Sequence, residues 1–282
     1  MKSQLLTLAF LLNTCFLSAQ ELKPWKINLP AGVAYRVETK STQTISQEAM
    51  GQNMEMQNQT EVFENIQLQE VDKGIIRVEK RIGGMRMKMS VMGQEMSFDS
   101  DRAEDFNTPM GEQMKPVLER VVTASIDASG NIRVHSASVE DPALSAALGM
   151  FGDGVPDSLA LAGLFMKAPE RVIRVGESWT EMYNEDGLKQ ETKYTFLETK
   201  DQIASIAFEI ASSIEKNAEM QGTTVQTNTK TQSKGVLKLD LNTGMVIHRS
   251  LEQTVEGTNN VMGMEIPLKG GGNTEVTITR VN

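Results

Sequence analysis

The sequence predicts an α+β protein that is mainly antiparallel β, with curved, half-barrel-like meander sheets packed on a few central helices. Three observations lead to this prediction. Apolar and polar residues alternate along several long segments, turn-forming residues separate those segments, and helical periodicity is confined to the middle of the chain. The order of strands, helices and strands is typical of the α+β class.

Alternation is the dominant pattern in the sequence. A period of two places every second side chain on one face of a half-buried antiparallel sheet. The clearest alternating segments are 35–40, 76–79, 237–240 and 276–279. Residues that favour turns lie between the predicted strands, at 72–74, 129–131, 242–244 and 270–273. We therefore expect long strands joined mostly by short turns.

Helical periodicity predicts three central helices. Apolar residues from Met110 to Val121 recur on one helical face, which predicts a helix over 109–121 that Pro116 limits or divides. Asp141-Pro142 is a suitable helix start and predicts a second helix over 142–150. A third, over 157–168, follows the linker 152–156.

Two halves of the chain carry similar short motifs. Gly32-Val33-Ala34-Tyr35 and Gly176-Glu177-Ser178-Trp179 each precede a set of strands, and the turns at 126–130 and 239–244 also resemble each other. This predicts a tandem duplication. The predicted ranges are 20–150 for the first β-rich repeat, 151–169 for a helical linker and 170–282 for the second repeat, or one continuous domain.

The first nineteen residues resemble a signal peptide, with Lys2 ahead of an apolar run that is too short to span a bilayer. Cleavage near Ala19/Gln20 predicts an exported, periplasmic or secreted protein without an integral membrane segment. Cys15 leaves with the leader, so disulfides do not stabilise the predicted fold. Lys2 also leaves, so 27 basic and 37 acidic residues remain, and the charge of −10 argues against nucleic acid as a partner.

Methionine clusters are the most unusual feature of this composition. Met85, Met87 and Met89 share one face of a predicted strand, and the chain contains 18 methionines in all. Three interpretations remain open. The sulfur-bearing face packs in an apolar core, lines a cavity for a lipid or other apolar ligand, or coordinates Cu(I) through thioethers.

Catalytic motifs are not recognisable in the sequence. His135 and His248 form no zinc-binding pair, and Ser213-Ile214-Glu215-Lys216 lies in alternating strand sequence rather than at a helix start. We therefore expect a non-enzymatic protein without cofactor or metal. It would bind an apolar ligand in a cleft between sheet and helix, lined by Met85, Met87, Met89, Leu161, Leu164 and Phe165. An envelope module with a dry core, engaged in structural or protein contacts, is the alternative.

Several segments carry a resemblance to a known group of proteins. They are the leader, the Thr/Gln/Met-rich segment 39–69, the segment 96–100 and the turn 175–179. Together they resemble an uncharacterised domain family of exported Gram-negative proteins, to which no reaction is assigned. More loosely, a curved meander with inserted helices is similar to the half-barrel of periplasmic lipoprotein carriers, and this similarity implies a concavity that holds acyl chains.

Overall fold

The computed structural model describes residues 20–49, 52–72, 74–137, 157–185, 187–220, 223–261 and 263–281. The predicted signal peptide and the predicted helix over 142–150 lie outside these ranges.

The described residues form fourteen strands, two α-helices and one 3₁₀ segment. The α-helices are α1 (Pro109–Leu118) and α2 (Asp157–Ala162), and the 3₁₀ segment is Ala103–Asn107. The strands are β1 (Glu21–Leu22), β2 (Ala34–Ala49), β3 (Gln52–Asp72), β4 (Ile75–Val91), β5 (Gln94–Asp99), β6 (Val121–Ile126), β7 (Ile132–Ala137), β8 (Ile173–Arg174), β9 (Ser178–Glu185), β10 (Leu188–Lys200), β11 (Ile203–Met220), β12 (Thr223–Asp240), β13 (Met245–Val261) and β14 (Met264–Val281).

Twelve of the strands form one antiparallel sheet in the order β7-β6-β4-β3-β2-β14-β13-β12-β11-β10-β9, and β5 also pairs with β4. The last long strand, β14, lies beside the first, β2, so the two ends of the chain meet inside the sheet. No described strand pairs with the free edge of β7 or of β9, so the sheet is open there. The prediction of a mainly antiparallel β fold is confirmed, although the helical part is smaller than an α+β class implies.

The sheet is strongly curved, and helix α2 demonstrates this. β7 and β9 lie ten strand intervals apart, which is roughly 48 Å in a flat sheet. Nevertheless α2, only six residues long, contacts β7, and its Ser158 hydroxyl lies 3.1 Å from the Tyr183 hydroxyl on β9. A helix of that length spans only about 9 Å. The sheet therefore wraps around α2, and the face towards the helix is called the inner face below.

Both observed helices differ from their predicted extents. Helix α1 is a single helix ending at Leu118, and it keeps Pro116 in its last turn. Helix α2 ends at Ala162 instead of continuing to 168. The reason is competition from a strand, because Val246 of β13 donates its amide to the carbonyl of Leu164 at 2.9 Å and Phe165 forms a bridge with Met245.

The predicted turn at 270–273 is wrong, because these residues lie inside β14. Glycine is required there by close strand packing. A Cβ atom at Gly270 would approach the backbone oxygen of Thr44 to 2.6 Å, and one at Gly272 would approach that of Thr42 to 2.1 Å. Neither distance is available to a side chain, so the glycine run marks the tight junction between β14 and β2.

The predicted duplication remains a prediction, but matching backbone contacts support it. Gly32 donates its amide to the carbonyl of Leu68 at 2.8 Å, and Gly176 donates to that of Phe196 at 2.8 Å. Both glycines have positive φ angles, 76° and 84°. The two motifs thus form the same turn against the second strand of each half.

The two halves differ where α1 is inserted. In the second half, β11 pairs with a single long strand, β12. In the first half, β4 pairs with β5 near its end and with β6 near its beginning. The strands β5 and β6 together therefore take the place of β12, and the residues between them form the 3₁₀ segment and α1.

The N-terminal segment connects the two halves at one end of the sheet. The amide of Ile27 donates to Ala128 in the β6–β7 turn at 2.9 Å, and that of Asn28 donates to Thr243 in the β12–β13 turn at 3.0 Å. Trp25 packs in the same region and donates its indole N–H to the carbonyl of Met166 at 3.0 Å. Segments 20–29 and 164–173 thereby cover the end of the sheet where the buried core lies.

Candidate ligand site on the inner face of the sheet

The antiparallel register aligns the inward side chains in rows that cross the strands. Two of these rows include side chains that pack against the helices or the N-terminal segment, and we call them the covered rows. The first contains Phe196, Ile206, Leu237, Arg249, Val276, Thr39, Val62 and Met85, and the second contains Tyr194, Phe208, Gly235, Leu251, Thr274, Ser41, Thr60, Met87 and Phe98.

The interior around the covered rows contains tightly packed side chains. Leu161, Leu164 and Phe165 lie in one apolar cluster with strands of the first half. A second cluster joins Trp25 and Met166 to β10–β13. Met85, Met87 and Phe98 form a third cluster with Met114 and Val117 of α1, and every one of these five side chains is at most 4% exposed.

Beyond the covered rows, the inner face continues towards the hairpin tips without any charged side chain on six strands. We call this area the uncharged inner surface. It consists of Gln43, Ile45 and Gln47 on β2, Met54, Met56 and Asn58 on β3, Met89 and Val91 on β4, Thr229, Thr231 and Ser233 on β12, Gln253, Val255 and Gly257 on β13, and Leu268, Gly270 and Gly272 on β14.

The uncharged inner surface is neither packed nor fully exposed. Asn58 and Leu268 are buried and its other members are half-buried. None of them belongs to the three apolar clusters. The outward side chains on the same stretches include charged ones, such as Glu55, Lys230 and Lys269. The two faces of these strands therefore present opposite chemistry to a partner.

The outer face carries a ladder of ion pairs. Lys40 contacts Glu61 at 3.4 Å, Arg86 contacts Glu61 at 3.3 Å, and Arg86 also contacts Asp101 at 2.8 Å. The guanidinium groups of Arg36 and Arg86 lie 4.6 and 5.5 Å from the ring centroid of Phe63. These outer charges have partners within the sheet, and exposed pairs of this kind contribute little to stability.

A further cation, in the first covered row, lies on the inner face. Arg249 of β13 occupies the first covered row, between Leu237 and Val276. Its Nε atom is shielded from solvent and has no hydrogen-bond partner among the described residues. A Cβ atom at Gly163 would lie 2.8 Å from Nη1, so the chain just after α2 passes very close to the guanidinium. Burial lowers the pKa of Arg249.

Tyr194 interacts electrostatically with Arg249, and Trp179 and Glu181 are neighbours of Tyr194. Burial raises the pKa of Tyr194, and the charges of Glu181 and Arg249 act on this phenol in opposite directions. Trp179 stacks on Tyr194 with ring centroids 5.2 Å apart, and its indole N–H is buried without a partner among the described residues. Burial also raises the pKa of Glu181, and the charge of Lys167 offsets part of this rise. We call Arg249, Trp179, Tyr194 and Glu181 the interior polar cluster.

A separate open depression of about 1250 Å³ crosses eight strands from β5 to β11. Its lining comprises members of the second covered row and the residues that flank them in each strand. Many of these flanking residues are charged members of the outer face, such as Lys40, Glu209 and Glu252. Because these charged side chains belong to the outer face, the side chains that project into the depression are those of the second covered row.

The six residues predicted to line one cleft do not lie together. Leu161, Leu164 and Phe165 belong to the cluster below α2, whereas Met85 and Met87 pack below α1. Met89 lies on the uncharged inner surface and is half-buried. Among the six, only Met87 lines the depression described above. The alternation correctly placed the three methionines on the inner face, but it did not indicate which helix covers them.

Metal-ligating side chains do not cluster in the described ranges. No group of three or more His, Cys, Asp or Glu side chains in these ranges could hold a metal ion. Met85 and Met87 are 4% and 2% exposed and pack against Met114, which is the arrangement expected for apolar core residues.

Sequence reasoning missed the interior polar cluster. The pattern that could have revealed it is the two-residue alternation along β13. Leu251 and Val255 are apolar residues of one alternating series on β13, and Arg249 belongs to the same series, so a cation occupies an inward position. Trp179 and Tyr194 carried no comparable signal, because their pairing depends on β9 lying next to β10.

Comparison with known proteins yields one family match. Residues 160–246 match a family described as a family of unknown function (DUF6263). The match spans the end of α2, β8–β12 and the start of β13, and it therefore includes Trp179, Glu181 and Tyr194. No curated protein matches this chain.

The solved structures that match are outer-membrane proteins of very low similarity. They include an outer membrane channel from Pseudomonas putida F1 (7% identity, 89% of this chain, 97% of that chain, TM-score 0.26) and OpdQ from Pseudomonas aeruginosa (4%, 88%, 99%, 0.25). The β domain of the Bordetella autotransporter BrkA is a further match (8% identity, 88% of this chain, 99% of that chain, TM-score 0.25). These scores support no functional argument. Among the described residues, no helix is long and apolar enough to cross a membrane.

Proposed function

We propose that this protein is a non-enzymatic exported protein that binds an apolar ligand or lipid on the uncharged inner surface. The supporting observation is the half-exposed, charge-free area on six neighbouring strands, behind which the outer face is charged. Removing apolar atoms from water stabilises a complex by about 25 cal/mol per Å². Flexible Met54, Met56 and Met89 would adapt this area to an acyl chain.

The proposed site differs from the cleft that the sequence suggested. The space between the sheet and α2 contains Leu161, Leu164 and Phe165, which are 0%, 7% and 0% exposed. These three side chains are buried in the apolar cluster below α2, so they do not present an accessible apolar surface to a ligand. The uncharged inner surface, which adjoins the covered rows towards the hairpin tips, is part of the same curved sheet, but none of its side chains belongs to the three apolar clusters.

A charge placed on the proposed site tests the proposal. Val255 is half-buried on the uncharged inner surface, and its neighbour Thr254 is exposed on the outer face. We expect the purified protein to enhance the fluorescence of the uncharged probe N-phenylnaphthylamine. Val255→Glu should weaken probe binding roughly ten-fold or more, because a carboxylate in an apolar contact must lose water. Thr254→Glu adds the same charge to the opposite face and should leave binding unchanged.

Circular dichroism checks that both variants are folded, and Val255→Gln provides a milder change if Val255→Glu is not. Absence of probe binding by the unmodified protein would contradict the proposal and favour an envelope module engaged in protein contacts. Equal weakening by both glutamate variants would place the bound probe elsewhere.

A further inference from the structure

We infer that the ligand is an anionic amphiphile whose carboxylate or phosphate head is held by the guanidinium of Arg249 while its apolar chain lies on the uncharged inner surface. This inference rests on the proposed function and specifies the chemical class of the ligand. It is carried by the position of Arg249 on the inner face, its buried and unpartnered Nε atom, and its continuity with the uncharged surface along β13.

The interior polar cluster contains two N–H groups that have no hydrogen-bond acceptor among the described residues. Nε of Arg249 and Nε1 of Trp179 are both buried and unpartnered among the described residues. Both side chains adjoin Tyr194, the first through an electrostatic interaction and the second through ring stacking at 5.2 Å. Buried N–H groups in folded proteins almost always have acceptors, so two such donors next to one tyrosine require an acceptor other than the described residues, and we assign that acceptor to the ligand.

Arg249 also has no carboxylate partner in an ion pair within the described ranges, in contrast to Lys40 and Arg86 on the outer face. A buried cation is costly when nothing neutralises it. Lys+Arg number 28 against 37 Asp+Glu, so acidic side chains are abundant in this chain. Nevertheless, none of those in the described ranges forms an ion pair with this guanidinium. A planar guanidinium binds carboxylate or phosphate oxygens through two parallel hydrogen bonds, which suits an anionic head.

The spacing along β13 fits an amphiphile. Arg249, Leu251, Gln253 and Val255 point to the same face of the strand. From Arg249 to Val255 the strand advances about 20 Å, which is comparable to the length of an extended acyl chain. A head at Arg249 would therefore place the chain across Leu251 and along the uncharged inner surface. Gly163 lies directly against the guanidinium, where a Cβ atom would come within 2.8 Å of Nη1.

The test compares two probes that differ only in the head. A fluorescent medium-chain fatty acid and its methyl ester are titrated into the full-length protein and into Arg249→Gln. The unmodified protein should bind the acid roughly ten- to a hundred-fold more tightly than the ester, the range expected for a charge-assisted hydrogen-bonded pair. Arg249→Gln should abolish this preference, because it should weaken binding of the acid far more than binding of the ester. A fluorescent alkyl phosphate, titrated in parallel, distinguishes a carboxylate head from a phosphate head.

Stability provides an independent readout of the same variant. Because Arg249 carries an unpaired buried charge, its replacement by Gln should keep or raise the melting temperature while the head preference is lost. Arg249→Lys, which keeps the charge but loses the planar fork, should retain part of the preference. If the acid and ester bind the unmodified protein equally, the inference is overturned and the proposed function stands. If neither probe binds, the proposed function itself fails.

Discussion

At the scale of single residues, Glu181 illustrates how burial on the inner face raises the pKa of a carboxyl group. It faces the inner side of β9, where burial raises the pKa of its carboxyl above the usual value, and Lys167 opposes part of this rise. The native protein therefore holds this proton at pH values where the unfolded chain has released it. Consequently the free energy of unfolding should fall as the pH rises from about 4.3 through the raised pKa.

Glu181→Gln removes that titration, so we expect a flatter dependence of stability on pH and a gain on the order of 1 kcal/mol or less at pH 7. Denaturant unfolding at several pH values measures both effects. Glu191→Gln on β10 is the matched control, because Glu191 is exposed on the outer face. If Glu181→Gln retains the pH slope of the unmodified protein, burial is not what perturbs this carboxyl.

At the scale of elements, α1 shows how an insertion is fixed to the sheet. Met114 of α1 is fully buried against Met85 and Met87, while Met110, one helical turn earlier, is only half-buried. Thr108 starts the helix by accepting the amide of Gly111 at 3.1 Å. The sulfur-bearing face of β4 is thus the floor on which this helix packs.

Met114→Ala should therefore lower the free energy of unfolding by roughly 2–5 kcal/mol, because it leaves a cavity beneath α1. Met110→Ala makes the same change at the half-buried position and should cost clearly less. Equilibrium denaturation by urea compares the two variants. Equal losses would show that the packing below α1 does not distinguish these positions.

At the scale of the whole molecule, the junction between β14 and β2 joins the two halves into one sheet. Gly272 lies at this junction, where a Cβ would approach the Thr42 backbone oxygen to 2.1 Å. At the adjacent Gly271 the closest atom to a Cβ would be the Gln253 backbone oxygen at 3.0 Å. These neighbours therefore differ in how much room their strands leave.

Gly272→Ala should destabilise the protein by about 1–3 kcal/mol, since the strands must move apart to admit the methyl group. Gly271→Ala, the same substitution one residue earlier, should cost less. Thermal unfolding followed by circular dichroism makes the comparison. Hydrogen exchange should show the added opening on β2 and β14 first, and uniform loosening of all strands would contradict a local cause.

The sequence predicted which segments form strands and which face a side chain occupies, but not which distant residues pack against it. The alternation of 35–40 and 276–279 correctly placed both segments in strands, because a period of two is a local property of the backbone. The segment 270–273 was wrongly predicted as a turn, because the reason for its glycines is the close approach of Thr42, which is more than two hundred residues away in sequence. Likewise, helix α2 is shorter than predicted because Val246 binds the backbone that would have continued it.

What the sequence determined by itself is therefore the antiparallel β character and the inward direction of Met85, Met87 and Met89. Only the tertiary structure decided that α1 covers Met85 and Met87, that the adjoining rows stay uncovered and uncharged, and that Arg249 lies without a partner beside Tyr194. The physical reason is that the direction of a side chain follows from local backbone geometry. Which residues pack against that side chain depends on the curvature of the sheet, in which β2 and β14 are neighbours although they come from opposite ends of the chain.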